Sequence, residues 1–569
     1  MKILYNTLAV AAVALSLQGC TDWDDHYDPG VSGNATSTLW ENISSREDLS
    51  DFASILKKTG YDQVLSTQQT YTVWAPTNSV LDSKMDSLNN VSDSLLLMEF
   101  VKNHVARNNY GATGSVDKQV RMVNGKMLTF EGSGDQYTMG NVALQDINLA
   151  SKNGVFYTTK DMIPFHANFY EYLDKNSSLD SLAAFYHLYD KNVLDKNASV
   201  AGPIVDGEVT YLDEVYNKTN DLYSYYNAYI NAEDSSYSMI LPTNAAWDKA
   251  KAAASSYYKY VKNYEVKQFR ATSDTIIKSD VIDADSLTNI YTKTALTNNL
   301  VFSNNMYGNN ILNTTQSGLD TLVTTTHSVF RGSDADELFA GAQRVPMSNG
   351  TGYIVNELNF KPWRAWAPII KIQGESLGYN AKVQYTSSSS VVSVNSSNRN
   401  PKVIGSVSNN AFYQVIAASD RSRPEVYYYI PNVLSTTYVV YGIFVPANIV
   451  DTTATAIPYK VRATIYYNTN AGKTTSVMST TKTVSFAVDD KPLTDVAKVD
   501  TVSLGEYTFP VAYSGLDNIY PAIQISAMAS NREVAAKTFD NDLRIDCILL
   551  VPKELDEYRK AHPNYRWDD

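Results

Sequence analysis

One ordered set of features occurs twice in this chain, and the duplication constrains the fold more than any single motif does. The first pass opens at Leu39-Trp40-Glu41-Asn42-Ile43. It continues with Leu49, Phe52, Ala53 and Leu56 at helical spacing, up to Gly60, which can stop a helix. An extended run, Tyr71-Thr72-Val73-Trp74, then enters Ala75-Pro76-Thr77-Asn78. Proline ends the strand there, and Thr or Asn can cap the next helix. A helix from about Asp93 carries Leu96, Leu97, Phe100 and Val101 and reaches Asn103-His104-Val105. Short β segments follow near 126–130 and 142–148. Asn153-Gly154-Val155-Phe156-Tyr157 closes the pass as a turn feeding a strand.

The second pass opens at Phe169-Tyr170-Glu171-Tyr172-Leu173. It repeats the strand–Pro–Thr–Asn step at Tyr237-Ser238-Met239-Ile240-Leu241-Pro242-Thr243-Asn244, with Trp247 beyond. Asn349-Gly350-Thr351-Gly352-Tyr353-Ile354-Val355 repeats the closing turn. This copy is longer: Pro76 to Gly154 spans 78 positions, whereas Pro242 to Gly352 spans 110. Residues 200–215, with turn pairs Gly202-Pro203 and Asp206-Gly207, read as an added hairpin. Leu300 stands where the first copy has His104.

Val73-Trp74-Ala75-Pro76-Thr77-Asn78 resembles the first motif of fasciclin-type adhesion domains, an aromatic followed by Ala-Pro-Thr-Asp or Asn. Asn103-His104-Val105 resembles that family's central His motif, and Asn153-Gly154-Val155 its closing Asn-Gly-Val/Ile. The resemblance covers residues 37–165 well and 166–361 in a divergent form. It implies α+β modules, each a β-wedge of two sheets with helices packed around it. It also implies adhesion to proteins, glycans or neighbouring cells. The family's His has no counterpart at Leu300.

The amino terminus reads MKILYNTLAVAAVALSLQGC. Lys2 gives a positive start, and Leu8 to Leu17 is an apolar stretch of signal-peptide length, too short to span a bilayer. Leu17-Gln18-Gly19-Cys20 resembles a bacterial lipobox, which implies cleavage before Cys20 and a diacylglycerol on its thiol. Asp22, Asp24 and Asp25 resemble the surface-export signal of Bacteroidetes-type lipoproteins; a solvated acidic tether is the other reading of the same residues. The expected organisation is a lipoprotein signal peptide at 1–19, a flexible tether at 20–36, and fasciclin-like domains at 37–165 and 166–361. The expected location is the outer membrane, lipid-anchored and facing the cell exterior.

From Pro362-Trp363 onward the texture changes. Short β-rich runs recur between turn residues near 383–386, 391–394, 427–430, 438–445, 460–467, 481–488, 508–513, 523–527 and 543–551. Alternation is clearest in Val461-Arg462-Ala463-Thr464-Ile465-Tyr466. Such runs predict an antiparallel, jelly-roll-like β-sandwich over 362–569, and Leu543-Arg544-Ile545-Asp546 looks like a final strand of that architecture. Tyrosine is abundant, at 41 copies against 17 Phe and 7 Trp. Its apolar body and polar tip suit binding faces as well as cross-strand packing. Tyr427, Tyr429, Tyr466, Tyr513 and Trp363 are the candidates for a glycan-contacting face, with core packing as the other reading of each.

Chemistry-bearing patterns are scarce. No two of the six His stand at metal-ligand spacing, and neither a Gly-x-Ser-x-Gly elbow nor a phosphate-binding loop occurs. Asp283-x-Asp285 lacks the Gly and distal Glu of a calcium loop. Cys547 lies in an apolar run, as a buried thiol would, and no disulfide partner remains for it once Cys20 is lipidated. A formal net charge of −13 opposes nucleic-acid binding. The sequence therefore predicts a non-enzymatic surface protein with no cofactor and no metal. Its partners would be the membrane through its lipid, and a glycan or surface protein. Adhesion is the leading role, and an accessory structural or glycan-capturing subunit of an outer-membrane polysaccharide-uptake complex is the alternative.

Overall fold

A computed structural model of the chain describes residues 34–565, except 195, 197–199, 206, 214–215, 271, 280–282, 308–320 and 377. Cys20 and the tether up to residue 33 lie outside the described residues. The chain forms two compact units. One comprises Met1–Tyr172 with Tyr229–Ser236 and Pro346–Gly350; the other comprises Leu173–Ala228, Tyr237–Val345 and Thr351–Asp569.

In the first unit, the helix Leu39–Ser44 starts on a capping box: Thr38 accepts from the Glu41 amide, and Glu41 reaches back to the Thr38 amide. The next helix, Ser50–Lys58, buries Phe52, Ala53, Ile55 and Leu56 on one face. Both pack on a four-stranded sheet ordered Val105–Arg107, Tyr71–Pro76, Gly154–Thr159, Leu149–Ser151. Every residue of the central strand Tyr71–Pro76 is buried, which explains why it reads as an unbroken run and not as an alternating one. It runs parallel to Gly154–Thr159. Gly154 is required there: at φ 146° a Cβ would lie 1.9 Å from the Tyr71 carbonyl oxygen. A second antiparallel sheet, ordered Val116–Arg121, Met127–Ser133, Gln136–Met139 and Val142–Ala143, lies beyond it. Trp74, Phe130 and Tyr157 form the core shared by the two sheets, with Trp74 stacked on Tyr157 at 5.8 Å. The α+β wedge implied by the fasciclin resemblance is thus present.

Lys126 holds the discontinuous segments of this unit together. Its side chain is 3% exposed, and its Nζ lies 2.6 Å from both Glu171 and Glu233 and 3.3 Å from Ser348 Oγ. A cation so buried is tolerated only because both carboxylates accompany it.

In the second unit, a four-stranded sheet is ordered Val301–Ser303, Tyr237–Pro242, Gly350–Val355, Gln343–Met347, the arrangement of the first unit's sheet. Trp74 N–H donates to the His104 carbonyl at 2.9 Å in one copy, and Ile240 N–H donates to the Leu300 carbonyl at 2.9 Å in the other. Leu300 thus occupies the His104 position. The inserted residues 200–215 contain the antiparallel pair Val200–Val205 and Glu208–Asp213.

The carboxy-terminal third builds two six-stranded antiparallel sheets. One contains Thr386–Ser393, Ala411–Ala417, Leu543–Pro552, Thr437–Phe444, Asp500–Thr508 and Ile370–Gln373. The other contains Asn380–Gln384, Glu425–Tyr429, Ala522–Ala527, Tyr459–Asn468, Thr474–Met478 and Lys482–Val484. Val440, Phe444, Ile545 and Ile548 of the first sheet and Val426, Tyr428, Ile465 and Ile525 of the second share one apolar core. The run 508–513 is not a strand, because Pro510 interrupts it and its amides point elsewhere. Phe509, Ala512 and Tyr513 N–H groups donate to Thr436, Lys259 and Val433. Residues 553–561, where no element was expected, form the helix Lys553–Ala561. Cys547 is fully buried, and burial pushes its thiol up to about 12.

A tyrosine-rich strap joins the two halves of this unit. Tyr264 belongs to the two-sheet core and donates to the Ala512 carbonyl at 2.7 Å. Tyr260 donates to Ser514 and Tyr257 to Glu554. Much of the tyrosine excess therefore serves internal packing, with the Tyr257, Tyr260 and Tyr264 hydroxyls each given a partner.

Candidate functional site

The second sheet exposes one set of side chains to its core and the opposite set to its outer face. Val426 and Tyr428 point inward, so Tyr427 and Tyr429 point outward; Val461, Ala463 and Ile465 point inward, so Arg462, Thr464 and Tyr466 point outward. Register then aligns Tyr427 with Gln524 and Thr464, and Tyr429 with Ala522 and Tyr466. Three of the five expected aromatics thus meet on one face, beside the Gln524 amide and the Thr464 hydroxyl. Tyr466 donates to Gln524 Oε1 at 3.0 Å, and Tyr427 to Glu425 Oε2 at 2.8 Å. Burial, reinforced by Glu425, raises the Tyr427 hydroxyl well above the usual phenol range.

That face is not open. A hairpin of Glu265–Gln268 and Thr275–Lys278, contributed by the second repeat, lies over it. Phe269 stands among the tyrosines, its ring centroid 4.8 Å from Tyr427, 5.1 Å from Tyr466 and 6.1 Å from Tyr429. Its amide donates to Tyr429 Oη at 3.3 Å. Lys267 Nζ lies 4.2 Å from the Tyr466 ring centroid, and Lys382 Nζ 5.5 Å from that of Tyr427. Asp274 accepts from Lys382 at 2.9 Å and lies 3.7 Å from Lys267. Burial would raise its carboxyl, but the Lys382 hydrogen bond and the two ammonium charges hold it below the ordinary aspartate range. The space remaining beside Phe269 is about 10 Å³, room for one water at most.

The other two expected aromatics lie elsewhere. Tyr513 is 1% exposed in the two-sheet core, 5.6 Å from Tyr264, and donates to Asn468 Oδ1. It is a core residue and cannot touch a glycan. Trp363 packs on Tyr558 at 5.2 Å, and its Nε1 donates to Tyr565 Oη at 2.9 Å, tying down the carboxy-terminal segment. Phe269, Lys267, Asp274, Lys382 and Gln524 were not singled out from sequence. Lys382 and Gln524 carry a readable signal as polar residues alternating with Val383, Ile523 and Ile525, whereas Phe269 carries none.

Two clefts also occur. One of about 550 Å³ in the first unit is lined by Lys84, Asn103, Leu128, Asn141, Asp161 and His166. Another of about 480 Å³ in the second unit is lined by Tyr441, Ile443, Leu549, Val551, Arg559 and Tyr565. Among the described residues no group of three His, Cys, Asp or Glu could hold a metal ion.

The repeated motif residues are consumed by internal bonds. Asn153 Oδ1 accepts from Leu39 N–H at 2.8 Å while Nδ2 donates to Leu65 and Thr67 carbonyls. Asn349 does the same with Phe169, Ile230 and Ala232. Asn78 and Asn244 each accept from one helix amide, Asp51 and Ser181, and donate to a nearby carbonyl. His104 is fully buried, and burial lowers its pKa to about 4, so it offers no base to a solute.

Residues 47–163 match the fasciclin domain family. This stretch is a fasciclin domain. Fasciclin domains are associated with adhesion or binding. No curated protein matches the chain in sequence. Among solved structures, the FAS1 domain pair from the insect cell adhesion molecule Fasciclin I is 12% identical, with 56% of this chain and 98% of that chain covered and a TM-score of 0.20. TmCBM61, solved in complex with beta-1,4-galactotriose, is 13% identical over 31% of this chain and 90% of that one, with a TM-score of 0.17. A Paenibacillus xanthan lyase is 10% identical over 36% of this chain but only 15% of its own length, with a TM-score of 0.21.

Proposed function

We propose that the chain is a non-catalytic binding protein, held on the outer membrane by a lipid on Cys20 and facing the exterior. It presents fasciclin modules and a jelly-roll-like β-sandwich to a glycan or protein partner. The observation that carries this reading is the fasciclin domain at 47–163, whose motif residues are spent on internal hydrogen bonds. Its surfaces are thereby left to recognition. The lipobox supplies the anchor, and no helix among the described residues is long and apolar enough to cross a membrane. The tyrosine, amide and lysine face of the second sheet favours a glycan, since aromatic rings stack on sugar rings while amides and charges bond their hydroxyls.

The test has two arms. Mass spectrometry of the mature amino terminus should find acylated Cys20, and Cys20→Ala should release the protein from membranes. Arrays of glycans and matrix proteins, probed with the full chain, should return binders. An unacylated mature chain, or silence on both arrays, refutes the reading.

A further inference from the structure

We infer that the hairpin Glu265–Lys278 is a built-in pseudo-ligand on the outer face of the second sheet, and that the ligand it imitates is an anionic polysaccharide. The inference rests on the glycan reading above. Three observations converge on it.

Phe269 occupies the position a sugar ring would take, its flat side chain surrounded by Tyr427, Tyr429 and Tyr466. Asp274, on the returning side of the same hairpin, occupies the position of a ligand carboxylate, bonded to Lys382 of the sheet. The hairpin thus offers a ring and an anion to a face built of three tyrosine rings and the Lys382 ammonium.

The sheet beneath is a poor permanent joint. Thr464, Gln524 and Ser526 are buried polar residues on this face, and Arg462, one register row away beside Ser526, has its Nε buried with no hydrogen-bond partner among the described residues. A joint selected for adhesion between two halves of one chain would bury apolar groups there, since an unpartnered buried donor is destabilising. A buried donor without a partner, Arg462 Nε here, suits a face that meets hydroxyl-rich ligands.

The hairpin is held unevenly. Its base is pinned: Glu265 N–H donates to the Gly472 carbonyl at 2.8 Å, and Asn468 Nδ2 donates to the Glu265 carbonyl at 2.9 Å. The returning strand Thr275–Lys278 is exposed throughout, with Ile276 56% and Ile277 42% exposed. Release therefore needs Phe269, Asp274 and the Lys267 ammonium over Tyr466 to leave the face, with the base acting as hinge.

The test uses the full chain, the double variant Phe269→Ser/Asp274→Ser, and the milder single variant Asp274→Ala. Binding to polygalacturonate and to a neutral galactan is measured by affinity electrophoresis, with hydrogen exchange reporting the hairpin. The double variant should exchange faster over 265–278 and bind polygalacturonate at least tenfold more tightly than the unaltered chain. Asp274→Ala should move in the same direction by less. Adding Lys382→Gln to the double variant should remove the preference for polygalacturonate over galactan. A freed hairpin with no gain for either polymer overturns the glycan reading of this face, and the inference with it. Equal binding by unaltered and double-variant chains, abolished in both by Tyr427→Ala, overturns the pseudo-ligand and leaves the glycan reading standing. Unchanged exchange in both variants shows a fixed joint and overturns the inference.

Discussion

Ile163 N–H donates to His104 Nε2 at 3.1 Å, which fixes the protonation state of the histidine in the fasciclin domain. An amide can only donate, so Nε2 must be unprotonated, and Nδ1 carries the proton it gives to the Phe100 carbonyl at 2.8 Å. The ring is therefore neutral and bonded at both ends, with its pKa lowered to about 4, chiefly by burial. A depressed pKa stabilises the fold above the unfolded value of about 6.5, and that contribution is lost as pH falls from there toward 4. The expected loss is about 3 kcal/mol. Urea unfolding of the unaltered chain and His104→Gln at pH 7 and pH 4.5 checks it. The variant should be weaker at pH 7, and the gap should narrow at pH 4.5.

Asn153 should matter as much as any apolar core residue. Its side chain satisfies the Leu39 amide at a helix start and the Leu65 and Thr67 carbonyls beyond a helix end. Asn153→Ala leaves all three groups buried and unpaired, for a cost of about 3–5 kcal/mol. Asn153→Asp keeps the acceptor and loses both donations, so it should fall between. Thermal melts of the three proteins give the order.

These sites differ in how far sequence reveals them. Pro76 and Gly154 were legible because their chemistry is local, a strand stop and a backbone angle that only glycine adopts freely; the expected cap forms at Thr243, which accepts from the Ala246 amide, whereas Thr77 makes no such bond and Asn78 and Asn153 act on distant residues. Strand alternation likewise identified Tyr427, Tyr429 and Tyr466. Alternation states which residues share a face, and not whether a distant segment covers that face. Phe269 does so here from a different module, and Tyr513 was drawn into the core by Tyr264 of the same strap. The edge strand Thr474–Met478 was illegible for a related reason: it is largely exposed, and so lacks the apolar period that marks a half-buried strand. Ala411–Ala417 follows Asn409 and Asn410, both at positive φ, which hid its start among turn residues.

Tyr565 should act as a latch. Its hydroxyl donates to Asp334 at 2.5 Å and accepts from Trp363 and Arg364, while Asp334 also pairs with Lys361 and is itself 3% exposed. Tyr565→Phe removes one partner from each of these groups and should cost about 1–3 kcal/mol. Asp334→Ala removes a buried carboxylate shared by Lys361 and Arg364 and should cost more, about 3–5 kcal/mol. Denaturant unfolding followed by tryptophan fluorescence, to which Trp363 contributes, should report both losses. An effect of Tyr565→Phe indistinguishable from zero would remove the latch.

Asp546 gives the second sheet-bearing unit the opposite pH dependence from His104. Burial raises its carboxyl to about 7; the Ser408 amide and Lys371 pull it down and Glu375 pushes it further up, without changing the net direction. A raised carboxyl is comfortable protonated, so its contribution is intact below the unfolded value near 4 and is lost as pH rises through about 7. Asp546→Asn keeps an acceptor for the Ser408 amide and cannot ionise. It should therefore raise the melting temperature at pH 8 by about 2–4 °C or more, and by clearly less at pH 5. Calorimetry at the two pH values decides the matter: equal shifts at both would mean that the carboxyl is already ionised in the folded protein at pH 5.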